Sequence, residues 1–208
     1  MSFGNAHRPE NEAPRQQQDV SAISHLDAVA PGIGRFFDRF AGTSFNRGLY
    51  RIHSISEMPR WTAIVADAFP EFKSRIVCFS CDWLGRHFAI DSGRRDRGQC
   101  QILMLEPGTG QALEIPATFN DFHDVELVTF QNEALAADFY RAWLDAGGAV
   151  PGPSQCIGYK KPLFLGGEDV VGNLEVIDME VYWSVSAQLL SKSRGLRCGA
   201  RIGEIRIN

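Results

Sequence analysis

Residues 75–115 read RIVCFSCDWLGRHFAIDSGRRDRGQCQILMLEPGTGQALEI. Four short runs within them, Arg75–Ser80, Arg86–Asp91, Gln101–Leu105 and Ala112–Ile115, are rich in β-branched, aromatic or leucine residues and are parted by turns. The five residues Glu106-Pro107-Gly108-Thr109-Gly110 put proline and glycine where a hairpin connection needs them. The centre of the chain is therefore expected to be a strand meander.

Helical patterns lie on both sides of it. Leu26, Val29, Ile33, Phe36, Phe37 and Phe40 recur at helical spacing, broken at Pro31-Gly32, so the better half is Ile33–Phe40. A turn at Phe45–Gly48 leads into a strand near Leu49–His53. Ser56 or Glu57 opens a helix with Pro59 in its first turn and Trp61, Ile64, Val65 and Ala68 on one face. Thr118 is read as the cap of a helix running to about Val128. Asn132 caps another with Ala134, Leu135, Phe139 and Trp143 inward, stopped at Gly147-Gly148. After the loop Pro151–Ser154 come Pro162–Leu165, a turn at Gly166–Asp169 and a short segment at Leu174–Ile177. Asp178 then starts a helix with Val181, Tyr182, Val185, Leu189 and Leu190 inward, ended by Gly195; Ile202, Ile205 and Ile207 close the chain, the last two in strand alternation. Strands and helices mix without regular alternation, which makes the fold α+β, with helices packed on a mainly antiparallel sheet. Trp61, Trp83, Phe164 and Tyr182 are expected to be mostly buried.

With 208 residues, a single domain can bury about 70% of its unfolded surface and needs no staple. Residues 1–24 are polar and read as a disordered tail; residues 25–208 form one domain, with a candidate subdomain boundary near 150. Hydrophobic residues at 44% and charged residues at 22% exclude collagen, coiled coil and wholesale disorder. A net charge of −4 disfavours direct nucleic-acid binding. No apolar run is long enough for a signal peptide or a membrane span, so a cytoplasmic protein with no membrane partner is expected. The odd count of 5 cysteines argues for free thiols.

The search for chemistry is thin. Cys78-Phe79-Ser80-Cys81 is a CxxC, but Cys78 falls inside a strand, where residues three apart face opposite sides. Cys100, Cys156 and Cys198 are isolated, the five histidines are scattered, and neither Gly108-Thr109-Gly110 nor Leu165–Asp169 matches a phosphate-binding loop. No catalytic residue, cofactor or metal is expected. The alternative is a small thiol-dependent enzyme using Cys78 or Cys81 with His87. Charge is more telling. From Glu106 to Asp145 the acidic residues are Glu106, Glu114, Asp121, Asp124, Glu126, Glu133, Asp138 and Asp145, against Arg141 alone; from Pro162 to Trp183 they are Glu168, Asp169, Glu175, Asp178 and Glu180, with no basic residue. Such a surface suits a basic partner.

Three sets of residues carry a family likeness: Ile76–Arg86 with Phe88–Asp91; Leu103–Gly110 with Glu114-Ile115-Pro116; and Lys161–Asp169 with Asn173–Asp178, Tyr182-Trp183 and Gln188-Leu189. Together they resemble the C-terminal domain of bacterial type VI secretion immunity proteins that protect against a secreted DNase. Gly48–His53 and Trp61 resemble the companion N-terminal module. The wider likeness is to the SUKH superfamily, with its toxin-immunity proteins and Smi/Knr-type regulatory scaffolds. The resemblance implies a SUKH-like fold and a non-catalytic protein that neutralises a cognate toxin, basic and a nuclease; a Smi/Knr-like regulatory scaffold is a further alternative. The partner surface is expected at the Asp82–Arg86 turn (Asp82, Trp83, Gly85, Arg86) and at the loop Gly166, Gly167, Glu168 and Asp169.

Overall fold

The computed structural model describes residues 3–7, 9, 25, 27–28 and 30–194. Its centre is the expected meander. Strands β1 (Ser44–Phe45), β2 (Tyr50–Ile52), β3 (Ile76–Asp82), β4 (His87–Asp96), β5 (Gln99–Glu106) and β6 (Gln111–Thr118) form one sheet in sequence order, every pair antiparallel. A second sheet pairs β7 (Gln155–Tyr159) with β8 (Leu174–Asp178). The four main helices are α1 (Ile33–Phe40), α2 (Met58–Ala68), α3 (Ala137–Asp145) and α4 (Met179–Ser193).

Alternation along the strands feeds two cores. Phe88, Ile90, Ile102 and Met104 join α1 and the segment after β6 on one face. Ala89, Leu103 and Leu105 join Trp61 and Val65 of α2 and Tyr182, Trp183 and Leu190 of α4 on the other. Helices α2 and α4 thus pack on the central strands, as the pattern of the sequence implied. Both cores include residues on either side of position 150: Ile157 and Leu174 in the first, Cys156 and Trp183 in the second.

Local chemistry explains the element ends. The Ser54 hydroxyl donates to Glu57 Oε2 at 2.6 Å just before α2 begins. The Thr118 hydroxyl oxygen accepts from Asp121 N–H. Asp178 Oδ1 accepts from the N–H groups of Glu180 and Val181, opening α4.

Several expectations are corrected. The helix after Thr118 is not regular: a π-helical turn at Phe122–Glu126 interrupts it, and Phe122 and His123 both face the core there. The Asn132 helix breaks at Ala136, whose φ is 50°, and Asn132 Oδ1 instead accepts from Asp138 N–H at 2.9 Å in α3. Leu135 and Tyr140 are fully buried there, while Ala134, Phe139 and Trp143 are half-buried. In α4 the cap sets a phase that turns Met179, Tyr182, Trp183, Ser186, Leu189 and Leu190 inward and leaves Val181 51% exposed. Trp61, Trp83 and Tyr182 are buried, but Phe164 is only half-buried. The expected loop at Pro151–Ser154 is present, and strand β7, which the sequence reading did not assign, follows it directly. The chain start is not wholly a free tail: Phe3–Ala6 makes a helical turn, and Phe3, 2% exposed, sits 5.1 Å from the Phe45 ring. Residues 10–24, Gly195, Cys198 and the expected strand at Ile202–Ile207 lie outside the described residues.

His123 ties this aromatic core together. Its Nδ1–H donates to Phe119 O at 2.8 Å, and the Tyr50 hydroxyl stands between its Nε2, at 3.0 Å, and Ser80 Oγ, at 2.8 Å. Burial pulls its pKa down to about 3. The unfolded chain therefore binds a proton that the folded chain refuses, and stability falls as pH drops through 6.5 toward 3. At pH 4.5 the loss from this one group should be roughly 2–3 kcal/mol relative to pH 7. Urea midpoints at the two pH values should show it. His123→Phe should flatten the pH dependence by about that amount, and an unchanged dependence would contradict the assignment.

Candidate functional site

The turn between β3 and β4 is built around a buried carboxylate. Asp82 Oδ1 accepts from Leu84 N–H and Arg86 N–H, each at 3.0 Å, and Oδ2 accepts from Arg86 Nε–H at 2.5 Å. Both side chains are inaccessible, Arg86 at 8% and Asp82 at 0%. Burial pushes the Asp82 carboxyl up to about 6, against the pull of the Arg86 charge, so it is still ionised at neutral pH. Gly85, at φ 74°, has no room for a Cβ, which would lie 2.9 Å from Cys156 Sγ.

Everything around this turn bonds to it. Arg86 Nη2 donates to Ala134 O, Trp83 Nε1 to Leu135 O, Ile157 N–H to Trp83 O, and Trp183 Nε1 to Gly85 O. Arg51 on β2 donates from Nη2 to Asp82 O and from Nη1 to the carbonyls of Gly152 and Pro153. Asp82, Trp83, Gly85 and Arg86 are all buried, so this half of the expected partner surface is a junction inside the protein. A turn projects from its sheet, as the local sequence implies. Here the segment before α3, strand β7 and helix α4 cover it.

The Gly166–Asp169 loop is outside. A Cβ on Gly167 would lie 1.9 Å from Lys161 O, so the crossing requires glycine. Asn173 Nδ2 donates to the carbonyls of Lys161 and Glu168, which holds the loop against its return strand. Asp169 is used internally, accepting from the Tyr159 hydroxyl at 2.7 Å, whereas Glu168 points its exposed carboxylate outward.

The remaining carboxylates divide in the same way. Glu106 is buried, Glu114 pairs with Arg94 at 3.3 Å, Asp138 with Arg141 at 2.8 Å, and Glu180 with Arg60. Asp121 and Asp124 accept bonds from Thr118 and from Phe3 N–H, and Asp178 caps α4. Glu133, Asp145, Glu168 and Glu175 are exposed and have no ion pair among the described residues. The Val171–Asn173 turn, which follows the Gly166–Asp169 loop, packs against α3, so these elements share one region of the surface.

The cysteines are not what the CxxC spacing suggests. Register shifts between Cys78 and Ser80, a β-bulge at Phe79 that returns Cys81 to the face of Cys78. Cys81 then sits directly opposite His87, the pairing the thiol-enzyme alternative requires. Yet Cys81 is 1% and His87 0% exposed, and burial raises the thiols to about 11 for Cys81 and about 12 for Cys78. Neither is a ready thiolate, and neither is open to a substrate. Cys78, Cys81, Cys100 and Cys156 are all free and buried. Sequence reading missed His53 and Arg51, which lie on this same face; the signal was the alternation of Tyr50-Arg51-Ile52-His53.

The segment that covers the turn lies within a match to a family model. Residues 117–190 match the family model for the C-terminal domain of the T6SS immunity protein Tdi1. That segment holds the Thr118-capped helix, α3, β7, β8, the Gly166–Asp169 loop and most of α4. Over nearly the whole chain, the fold is similar to one described as the crystal structure of Atu4351 from Agrobacterium tumefaciens. The TM-score is 0.61 at 16% identity, covering 87% of this chain and 86% of that one. At that identity the likeness is one of fold. No curated protein matches the sequence.

The buried pair makes a sharp prediction. Asp82→Asn keeps an oxygen for the Leu84 and Arg86 amides but strands the Arg86 charge in the interior. It should lower the unfolding free energy by roughly 3–5 kcal/mol in urea titration. Removing the charge as well, in Asp82→Asn with Arg86→Met, should recover part of that loss; a single variant as stable as the parent would refute the account.

Proposed function

We propose that this protein is an immunity protein that binds a cognate secreted toxin and neutralises it without catalysis. The observation that carries this reading is the match of residues 117–190 to an immunity-protein family. The structure adds physical support. Cys78, Cys81, Cys100 and Cys156 and the imidazoles of His53, His87 and His123 are buried, while unpaired carboxylates stand outward on the family-matched segment at Glu133, Asp145, Glu168 and Glu175. A toxin that handles nucleic acid has a site built for phosphate, and carboxylates are the natural counterpart. The proposed partner is accordingly a basic protein, a nuclease, met in the cytoplasm where its nucleic-acid substrate lies. No described helix is long and apolar enough to cross a membrane.

Of the residues expected at the interface, Gly166, Gly167, Glu168 and Asp169 keep that role, with Glu168 as the charged contact and Asp169 as the residue that fixes the loop through Tyr159. Asp82, Trp83, Gly85 and Arg86 support the surface from beneath.

Co-expression with the product of the adjacent open reading frame tests the role. The account expects restored growth, an isolable complex and suppressed DNA degradation; no rescue together with no complex would overturn it. Charge reversal tests the surface. Glu168→Lys with Glu175→Lys should slow association by at least about tenfold at low salt and weaken its salt dependence, with the melting temperature little changed. An unchanged association rate would remove these carboxylates from the interface.

A further inference from the structure

Three neighbouring strands carry one donor each to the same point beneath α2 and α4. His53 follows β2, Cys81 lies on β3 and His87 on β4, and one ligand atom from each lies within 4.8 Å of the other two. The bulge at Phe79 is what turns Cys81 to this face. The His53 and His87 rings stack 5.1 Å apart at 27°, with Trp61 of α2 4.8 Å from His87 and Trp183 of α4 5.2 Å from it. His53 is 5% exposed and His87 0%.

The hydrogen bonds say which nitrogens are available. His87 Nδ1–H donates to Gly85 O at 3.1 Å, so Nε2 carries the lone pair. That nitrogen is buried and has no hydrogen-bond partner, and the same is true of His53 Nε2. A buried polar atom without a partner costs of order 1–3 kcal/mol, and two side by side need a common explanation. A ring held by its Nδ1–H on a backbone carbonyl, with Nε2 presented to neighbouring donors, is how a metal-ligating histidine is oriented.

We propose that His53, Cys81 and His87 bind a thiophilic d10 metal ion, copper(I) or zinc(II), as a structural clamp across β2, β3 and β4. On binding, the sulfur–metal bond forms as the thiol proton leaves to solvent. Metal–nitrogen lengths of about 2.0 Å and a metal–sulfur length of about 2.3 Å put the donors about 3.5 Å apart, a modest closing of the present cluster. Two imidazoles with one thiolate make a neutral site around copper(I) and a cationic one around zinc(II). In a dry interior beside Arg51, the cross-strand partner of Cys81, charge balance favours copper(I).

The test uses the full chain without a histidine tag, expressed with added zinc or copper and dialysed against a chelator. Elemental analysis should find about one equivalent of one ion per chain, and the metal should raise the melting temperature. Which ion is retained assigns the site; either supports it. Cys81→Ala and His87→Ala should lose the metal by at least tenfold, while Cys78→Ala, buried on the same strand and face, should keep it. Because the two ligand variants could fail to fold, cobalt(II) provides a reading on the parent chain. Refolding with it should give the charge-transfer absorption of a thiolate–cobalt bond. A folded parent chain that retains neither zinc nor copper, and shows no such absorption with cobalt, would overturn the proposal.

Discussion

The contact between Asp82 and Arg86 constrains the rest of the structure. A carboxylate and a guanidinium removed from water must satisfy each other and spend their remaining bonds locally. Here they do so on Leu84 N–H, Arg86 N–H and Ala134 O. The turn that results offers the carbonyls of Trp83 and Gly85 and the indole of Trp83 to other elements. Strand β7, the segment before α3 and the Trp183 indole of α4 take them up. This turn therefore joins the central meander to the later segment by hydrogen bonds, beside the core that α4 shares with α2 and the strands. In the proposed function, the outward face of that later segment is the surface offered for recognition.

Most of the frame was readable locally. Thr118 and Asp178 are helix caps by their own chemistry, and the Pro-Gly hairpin joins β5 to β6 wherever the rest of the chain goes. Features that depend on distant partners were not readable. Cys156-Ile157-Gly158-Tyr159 is too short and too glycine-broken to announce a strand; it becomes β7 by pairing with β8 and bonding to Trp83. Asp82-Trp83-Leu84-Gly85 has the composition of an exposed turn, and only its tertiary cover makes it interior. Val181 suits the buried stripe of α4 by type, but the Asp178 cap fixes another phase. In the CxxC, strict two-residue alternation separates Cys78 from Cys81, and one bulged residue reverses that conclusion for the face on which His53 and His87 also lie.

The same division runs through the candidate site. The loop Gly166–Asp169 was legible because its glycines and acids are local signals. The roles of the two acids within it were not, since Tyr159, the partner that takes Asp169, stands ten residues earlier. The acidic bias of the sequence was plain, yet most of those carboxylates are spent on caps, arginines, hydroxyls or backbone amides. The few left unpaired on the later segment give the surface its character, and a charged surface of this kind acts first on the rate and selectivity of encounter.

Amide hydrogen exchange on the free protein and on its complex with the adjacent gene's product measures both halves of the account at once. A buried junction exchanges only when the whole molecule unfolds, so the amides of Leu84, Arg86 and Ile157 should share the slowest rate in the free protein and be unchanged by the partner. Amides across Gly166–Asn173 should gain protection in the complex. Fast exchange at Leu84 and Arg86 in the free protein, with protection there on binding and none at Gly166–Asn173, would contradict it.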